Sequence, residues 1–261
     1  MIEAGLGIYA VAIPALLLLV LAIAETRWPR RILVLGRRSR WTTHALFFIT
    51  NAAVGRILSL LVVVGTAASW SAGAQFGLFH WLDLPWLVEA AAAFVILDFA
   101  VWLQHLAMHR VPLLWPMHAV HHSDRDLDVT TALRFHPFEL VISTLYKSAL
   151  VALLGVPVIV ALAFELWLNA NALFNHSNIQ LPSKADRVLR KLVVTPDMHL
   201  VHHSIDRADQ HRNFGFALTI WDRMFGTYCD TASTDVIGLE SSQDSRPGRI
   251  WWSMKQPFTR I

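Results

Sequence analysis

Residues 6–24, LGIYAVAIPALLLLVLAIA, contain no charged side chain. At about 1.5 Å per residue, a helix of this length nearly spans a hydrocarbon core of roughly 30 Å. Similar apolar segments cover about 45–68 (interrupted by Arg56), 86–106, 138–154 and 157–174. Only Gly155 and Pro157 separate the last two, which therefore read as a helical hairpin entering and leaving by one face. Hydrophobic residues make up 55% of the chain and charged residues 16%, against about 25% charged in a typical soluble domain. So little polar surface cannot cover a water-facing globule. A signal peptide fits residues 6–24 poorly, because the arginines follow the run instead of preceding it. A single cysteine, Cys229, excludes an internal disulfide and the paired-cysteine zinc patterns. The formal charge of +3 needs no nucleic-acid partner, because Lys and Arg also collect on the cytoplasmic side of membrane proteins.

The distribution of Lys and Arg predicts the orientation. There are none in 1–26 or 57–109, six in 27–40, three in 110–134 and eleven after residue 183. The positive-inside rule puts the N-terminus outside and the 27–41 loop, the 110–137 loop and the tail in the cytoplasm. The expected fold is an all-α integral membrane bundle of about four or five transmembrane segments with a cytoplasmic, histidine-rich helical cap. Three regions follow: 1–85, N-terminal spans and basic loop; 86–230, a histidine-box domain; 231–261, a tail without a legible signal.

Thirteen histidines are the compositional outlier. His105 and His109 are four apart in HLAMH, so on a helix both rings share one face. His118, His121 and His122 form HAVHH, and His199, His202 and His203 form HLVHH. All three boxes fall on the same predicted side of the membrane. Eight neutral imidazoles at one mouth of a bundle suit metal, and they exceed the roughly four ligands of one tetrahedral site, so two metals are expected. All-nitrogen ligation with open positions suits iron that binds oxygen. His136, in RFHPFE, and His176, in FNHSN, sit in polar settings nearby and join the expected set. The isolated His44, His80 and His211 read as bystanders.

Asp98 lies two helical turns before His105 in an otherwise uncharged run. An intramembrane carboxylate needs a partner, and a metal-bound histidine from another box is the expected one. Asn175 and Asn178 have similar potential around His176. Asp197 and Asp206 read as surface charge, and Asp222 with Arg223 as a structural pair in the cap.

The order HLAMH, HAVHH, RFHPFE, FNHSN, TPDMHLVHH, NFG and WDRMFGT resembles the fatty acid hydroxylase superfamily, also called the sterol desaturase family, over about residues 98–227. The resemblance implies an integral membrane di-iron enzyme that hydroxylates or desaturates a C–H bond of a lipid. It implies two non-haem irons, O2 as co-substrate, and electrons from a separate donor protein of reductase, ferredoxin or cytochrome type. It carries ligation onto His105, His109, His118, His121, His122, His199, His202 and His203. The family also has histidine at the positions of His136 and His176.

Two rivals remain open. A membrane zinc hydrolase would need only about three protein ligands, and the HExxH signature is missing. A bis-histidine haem carrier would place paired histidines mid-membrane on facing helices.

Overall fold

A computed structural model describes residues 2–58, 64–82 and 84–259, with side chains from residue 12 onward. The described residues form helices and turns, with only isolated β-bridges. The chain runs α1 (Ile2–Arg27), α2 (Arg37–Leu58), α3 (Val64–Ala74), α4 (Leu78–Leu82), α5 (Trp86–Arg110) and α6 (Trp115–His122). A 3-10 turn, Val129–Leu133, precedes the hairpin of α7 (Pro137–Leu154) and α8 (Val158–His176). Short helices follow: α9 (Ser183–Leu189), α10 (Pro196–His202), α11 (Arg207–Gln210), α12 (Ile220–Met224) and α13 (Ile250–Lys255).

Three described helices, α5, α7 and α8, are long and apolar enough to cross a membrane. Their inward faces interlock through Leu97, Val101, Val151, Val160 and Phe164, joined by Ala68 of α3. Outward residues such as Leu87 and Leu153 stay exposed. That is the pattern of a bundle whose outer solvent is lipid, since burial inside the protein is not what makes these residues tolerable. Gly155, Val156 and Pro157 form the predicted hairpin turn. Gly155 caps α7 at φ +76°, a left-handed conformation that suits glycine, and its N–H closes onto Val151 and Ala152. Gly77, at φ +122°, packs directly on Gly155, where any Cβ would collide with the backbone.

The expected second span, 45–68, is not one described helix. α2 begins well upstream at Arg37, α3 begins at Val64, and residues 59–63 between them lie outside the described residues. The start of α2 is explained by its role as a polar anchor. Arg40 is fully buried and forks onto Asp124, with Nε to Oδ1 at 3.0 Å and Nη2 to Oδ2 at 2.9 Å, and it also bonds Asp128. Asp126 accepts the backbone N–H groups of Val34 and Leu35. Glu25, buried in α1, accepts those of Val129 and Asn178. The N-terminal helices are thus tied by buried carboxylates to the segment that follows the second histidine box.

The tail has a structural task that its sequence does not advertise. The buried Arg134 donates to Val120 O, to Pro247 O and to the hydroxyls of Ser123 and Ser253. Gln256 donates to Ala119 O, and Gly238 N–H donates to His203 O. The last stretch of chain therefore clasps the backbone of the two HxxHH boxes.

Candidate metal centre

The C-terminal ends of α5 and α8 and the N-terminal end of α7 share one end of the bundle. α6 and α10 lie across that end, and the histidines meet there. Nine of them close into two buried groups among the described residues. His105, His109, His118, His122 and His202 form one group; His121, His176, His199 and His203 form the other. In each group one nitrogen from every ring lies within 4.8 Å of the rest.

The HxxHH spacing has a geometric reason. In α6 the i,i+4 pair, His118 and His122, points into the first group, and His121 points into the second. In the third box the roles reverse: His199 and His203 enter the second group and His202 the first. Residues four apart lie over one another on a helix, while the third residue is rotated off that line. Each box therefore serves both groups.

Ring orientation is set by what holds Nδ1. His105 Nδ1–H donates to Phe214 O at 2.7 Å, and His202 Nδ1–H to Arg212 O at 2.8 Å. His118 Nδ1–H donates to Glu139 Oε1 at 2.7 Å. With the proton on Nδ1, each Nε2 presents a lone pair. Yet His105 Nε2 lies 3.0 Å from Nε2 of both His118 and His202. In the second group His176 Nδ1–H donates to Ala172 O, and His176 Nε2 lies 3.0 Å from Nε2 of His121 and of His199. Converging lone pairs repel unless a cation sits among them. At metal–nitrogen distances of about 2.1 Å, ligand atoms at right angles would be about 3.0 Å apart. The donor set fits two metal ions.

Burial keeps the cap histidines neutral. It pushes His121, His122, His199 and His203 well below the ordinary histidine value, and their neighbouring rings push the same way. His202 is pushed down to about 3 by burial, against a raising contribution from its bond to Arg212. Neutral imidazole is the form that ligates.

His136 stands outside both groups. It caps α7, its Nδ1 accepts the N–H of Phe138 at 3.3 Å, and its Nε2 faces Met254 O. His44 bonds Asp124 and Thr130, His80 packs on Gly155, and His211 flanks His109 from outside the group. Asp98 meets no histidine: its Oδ2 accepts Trp221 Nε1–H at 2.7 Å. Asn178 pairs with the backbone of Arg31, and Asn175 donates to Phe216 O. Asp206 caps α11, and Asp197 meets Arg30 at the surface. Asp222 and Arg223 are not a pair. Asp222 turns inward and accepts from Trp102 Nε1 and the backbone N–H groups of Phe214 and Gly215, whereas Arg223 stacks on Tyr228. Asn213, at φ +51°, donates to Met198 O and so anchors α10. The NFG and WDRMFGT segments thus brace the rings. Sequence reading gave them no role at the metal centre, because the contacts join residues far apart in the chain.

A cavity of about 300 Å3 reaches this centre between α2, α5, α7 and α8, with His105 and His118 in its wall. Both belong to the five-histidine group.

Residues 90–227 match the fatty acid hydroxylase family. An alkylglycerol monooxygenase of Danio rerio is 29% identical over 203 residues, covering 74% of this chain and 43% of the relative. An ornithine lipid hydroxylase of Rhizobium tropici is 31% identical over 196 residues, covering 71% and 55%. A Delta(7)-sterol-C5(6)-desaturase of Nicotiana tabacum is 32% identical over 161 residues, covering 59% and 55%. The chain spans about half the length of these relatives. No solved structure matches it. The match extends over half of the chain and contains all nine clustered histidines, and the chain belongs to the fatty acid hydroxylase family.

Proposed function

We propose that the protein is a membrane di-iron oxygenase that hydroxylates or desaturates a C–H bond of a lipid, using O2 and electrons from a separate donor protein. The observation that carries this reading is the meeting of two all-histidine groups with an apolar cavity at His105 and His118. One iron would be held by His105, His109, His118, His122 and His202, the other by His121, His176, His199 and His203. When bound, the irons would supply oxygen activation and the oxidising power needed to break an unactivated C–H bond. The chain would supply the remainder. Phe214 O, Arg212 O and Glu139 fix which ring nitrogen faces inward, and the cavity wall selects the carbon brought to the His105–His118 edge.

The relatives, a monooxygenase, a hydroxylase and a desaturase, favour oxygen chemistry over hydrolysis. Nine clustered histidines also oversupply a single hydrolytic zinc. The Lys/Arg distribution favours an outside N-terminus and a metal centre on the cytoplasmic side, within reach of a cytoplasmic electron donor. Metal analysis and lipid profiling test the proposal together. Purified protein is expected to contain two irons per chain without a Soret band. Cells expressing it are expected to gain a lipid heavier by one oxygen or lighter by two hydrogens, only in the presence of O2. Zinc content with oxygen-independent turnover would overturn it.

A further inference from the structure

An open groove of about 1000 Å3 lies between the start of α2 and α13. It shares no lining residue with the histidine groups or with the cavity at His105 and His118. Three cations line it, Arg38, Arg249 and Lys255, and no acidic residue does. All three are exposed, and none joins a salt bridge among the described residues. The neighbouring Arg246 differs, because it pairs with Asp244 at 2.7 Å and lies outside the groove. The hydroxyls of the wall already donate to the backbone: Ser39 to Gly36 O, Thr42 to Arg38 O and Thr43 to Gly248 O. α2 begins here with no acidic residue in its first turn, so the positive end of the helix adds to the three side chains. The charge of the groove favours an anion.

The rest of the wall is apolar. Trp251 is 78% exposed, with Ile250 and Trp252 beside it. On α2, Arg38, Thr42, Leu46 and Ile49 are spaced four, four and three apart and share one face. That face begins with a cation and runs on to exposed aliphatic side chains, Leu46 at 38% and Ile49 at 60%. A free phosphate uses only its first end, and an acidic protein docked from the aqueous side also stops at the cations. A plain hydrocarbon uses only the second end. An anionic phospholipid uses both, with its phosphate among the cations at the interface and an acyl chain along α2. Tryptophan is enriched at that level of a bilayer.

We propose that this groove binds an anionic phospholipid, with Arg38, Arg249 and Lys255 around its phosphate and Trp251, Leu46 and Ile49 against its glycerol and chains. The seated lipid bridges α2 and α13. It thereby holds the part of the tail whose Ser253 accepts from Arg134 and whose Gln256 donates to Ala119 O beside the second histidine box. The proposal rests on the bundle lying in a membrane and not on the oxygenase reading.

The test is competitive binding to the metal-loaded protein in detergent at low salt. Equal amounts of dioleoylphosphatidylglycerol and dioleoylphosphatidylcholine are offered, and retained lipid is read by native mass spectrometry. The two share their chains and differ in net charge. A basic residue near a membrane surface is worth about fivefold toward an anionic lipid, so phosphatidylglycerol is expected to be retained at least about tenfold over phosphatidylcholine. The combined variant Arg38→Gln, Arg249→Gln, Lys255→Gln is expected to bring that ratio to within about threefold. Arg249→Gln alone leaves α2 intact and is expected to lower it about fivefold, which keeps the test open if the combined variant does not fold. The exposed cations of another surface, replaced as Lys184→Gln, Arg187→Gln, Lys191→Gln, control for net charge and are expected to leave the ratio unchanged. Excess inorganic phosphate is expected not to displace the lipid. Equal retention of the two lipids by the wild type, an unchanged ratio in the groove variants, or an equal loss in the control variant overturns the proposal. Displacement by inorganic phosphate would make the groove a free-anion site, and dimers that exclude lipid would make it an interface between copies of this chain; either overturns the lipid assignment. None of these readings depends on turnover.

Discussion

Asp222 holds His105 in place although neither touches the other. The carboxylate accepts the N–H of Phe214 at 2.9 Å and of Gly215 at 2.7 Å, and the carbonyl of Phe214 accepts His105 Nδ1–H at 2.7 Å. The same carboxylate accepts Trp102 Nε1–H at 3.0 Å, one turn before His105 on α5. The loop at Phe214 and Gly215 and helix α5 are therefore set against each other by one buried acid. Asp222→Asn turns one acceptor into a donor facing donors. Iron affinity is expected to fall about 10–100-fold, as when partners of ligating histidines are removed. Titration of metal-stripped protein with ferrous iron measures this; wild-type affinity would mean that the 214–215 loop holds itself.

The structure separates His176 from His136, both of which the sequence places in the expected ligand set. His176 ends α8 with Nε2 among the second group, whereas His136 spends both ring nitrogens on the α7 cap and the tail. His176→Ala is expected to lower the iron-to-protein ratio by about one, with the five-histidine group still loaded. His136→Ala is expected to keep both irons. Elemental analysis of the two variants side by side decides the matter, and iron loss in His136→Ala would return it to the ligand set.

Asp98 has a partner in the cap, Trp221 of α12, and not a histidine. Trp221 also packs on Phe99, with ring centroids 4.9 Å apart, so this corner docks α12 onto α5. Asp98→Ala strands the indole N–H and is expected to destabilise the folded protein by about 1–3 kcal/mol, with iron stoichiometry unchanged. Thermal unfolding in detergent and iron content, measured on one sample, test both halves. A stable protein with depleted iron would place Asp98 at the metal after all.

The histidine boxes were legible because a helix converts i, i+3, i+4 spacing directly into direction, and no long-range contact is needed to read it. The α7–α8 hairpin was legible for a similar reason, since Gly155 and Pro157 act locally. The bracing was not. Trp102 and Asp222 are 120 residues apart, and Arg134 reaches Ser253 across 119. Such pairs leave no period in the chain. The run Asp124, Asp126, Asp128 did carry a signal, since closely spaced acids beside an apolar domain need cations. Its partner Arg40 lies among the arginines of residues 27–40, whose positive charge the positive-inside rule already explains.

Arg40 gives the last expectation its content, because it is a guanidinium with about 1% exposure surrounded by three aspartates. Burial alone would push Asp124 up, but Arg40 and the bonded His44 hold its carboxyl well below the ordinary 3.8. A carboxyl lowered in the folded state contributes stability that is present above its unfolded value and lost as pH falls through its folded value. Acid destabilisation attributable to this site therefore begins below about pH 4 and steepens downward. Arg40→Met leaves Asp124 and Asp128 buried without their cation and is expected to cost about 3–5 kcal/mol near neutral pH, as when one member of a buried ion pair is removed. In the variant the two carboxyls gain by taking up protons, so its deficit relative to the wild type should shrink as the pH is lowered. Unfolding temperatures of both proteins across an acid series measure this. A deficit that stays constant or grows toward low pH would show that Arg40 acts through packing and not through its charge.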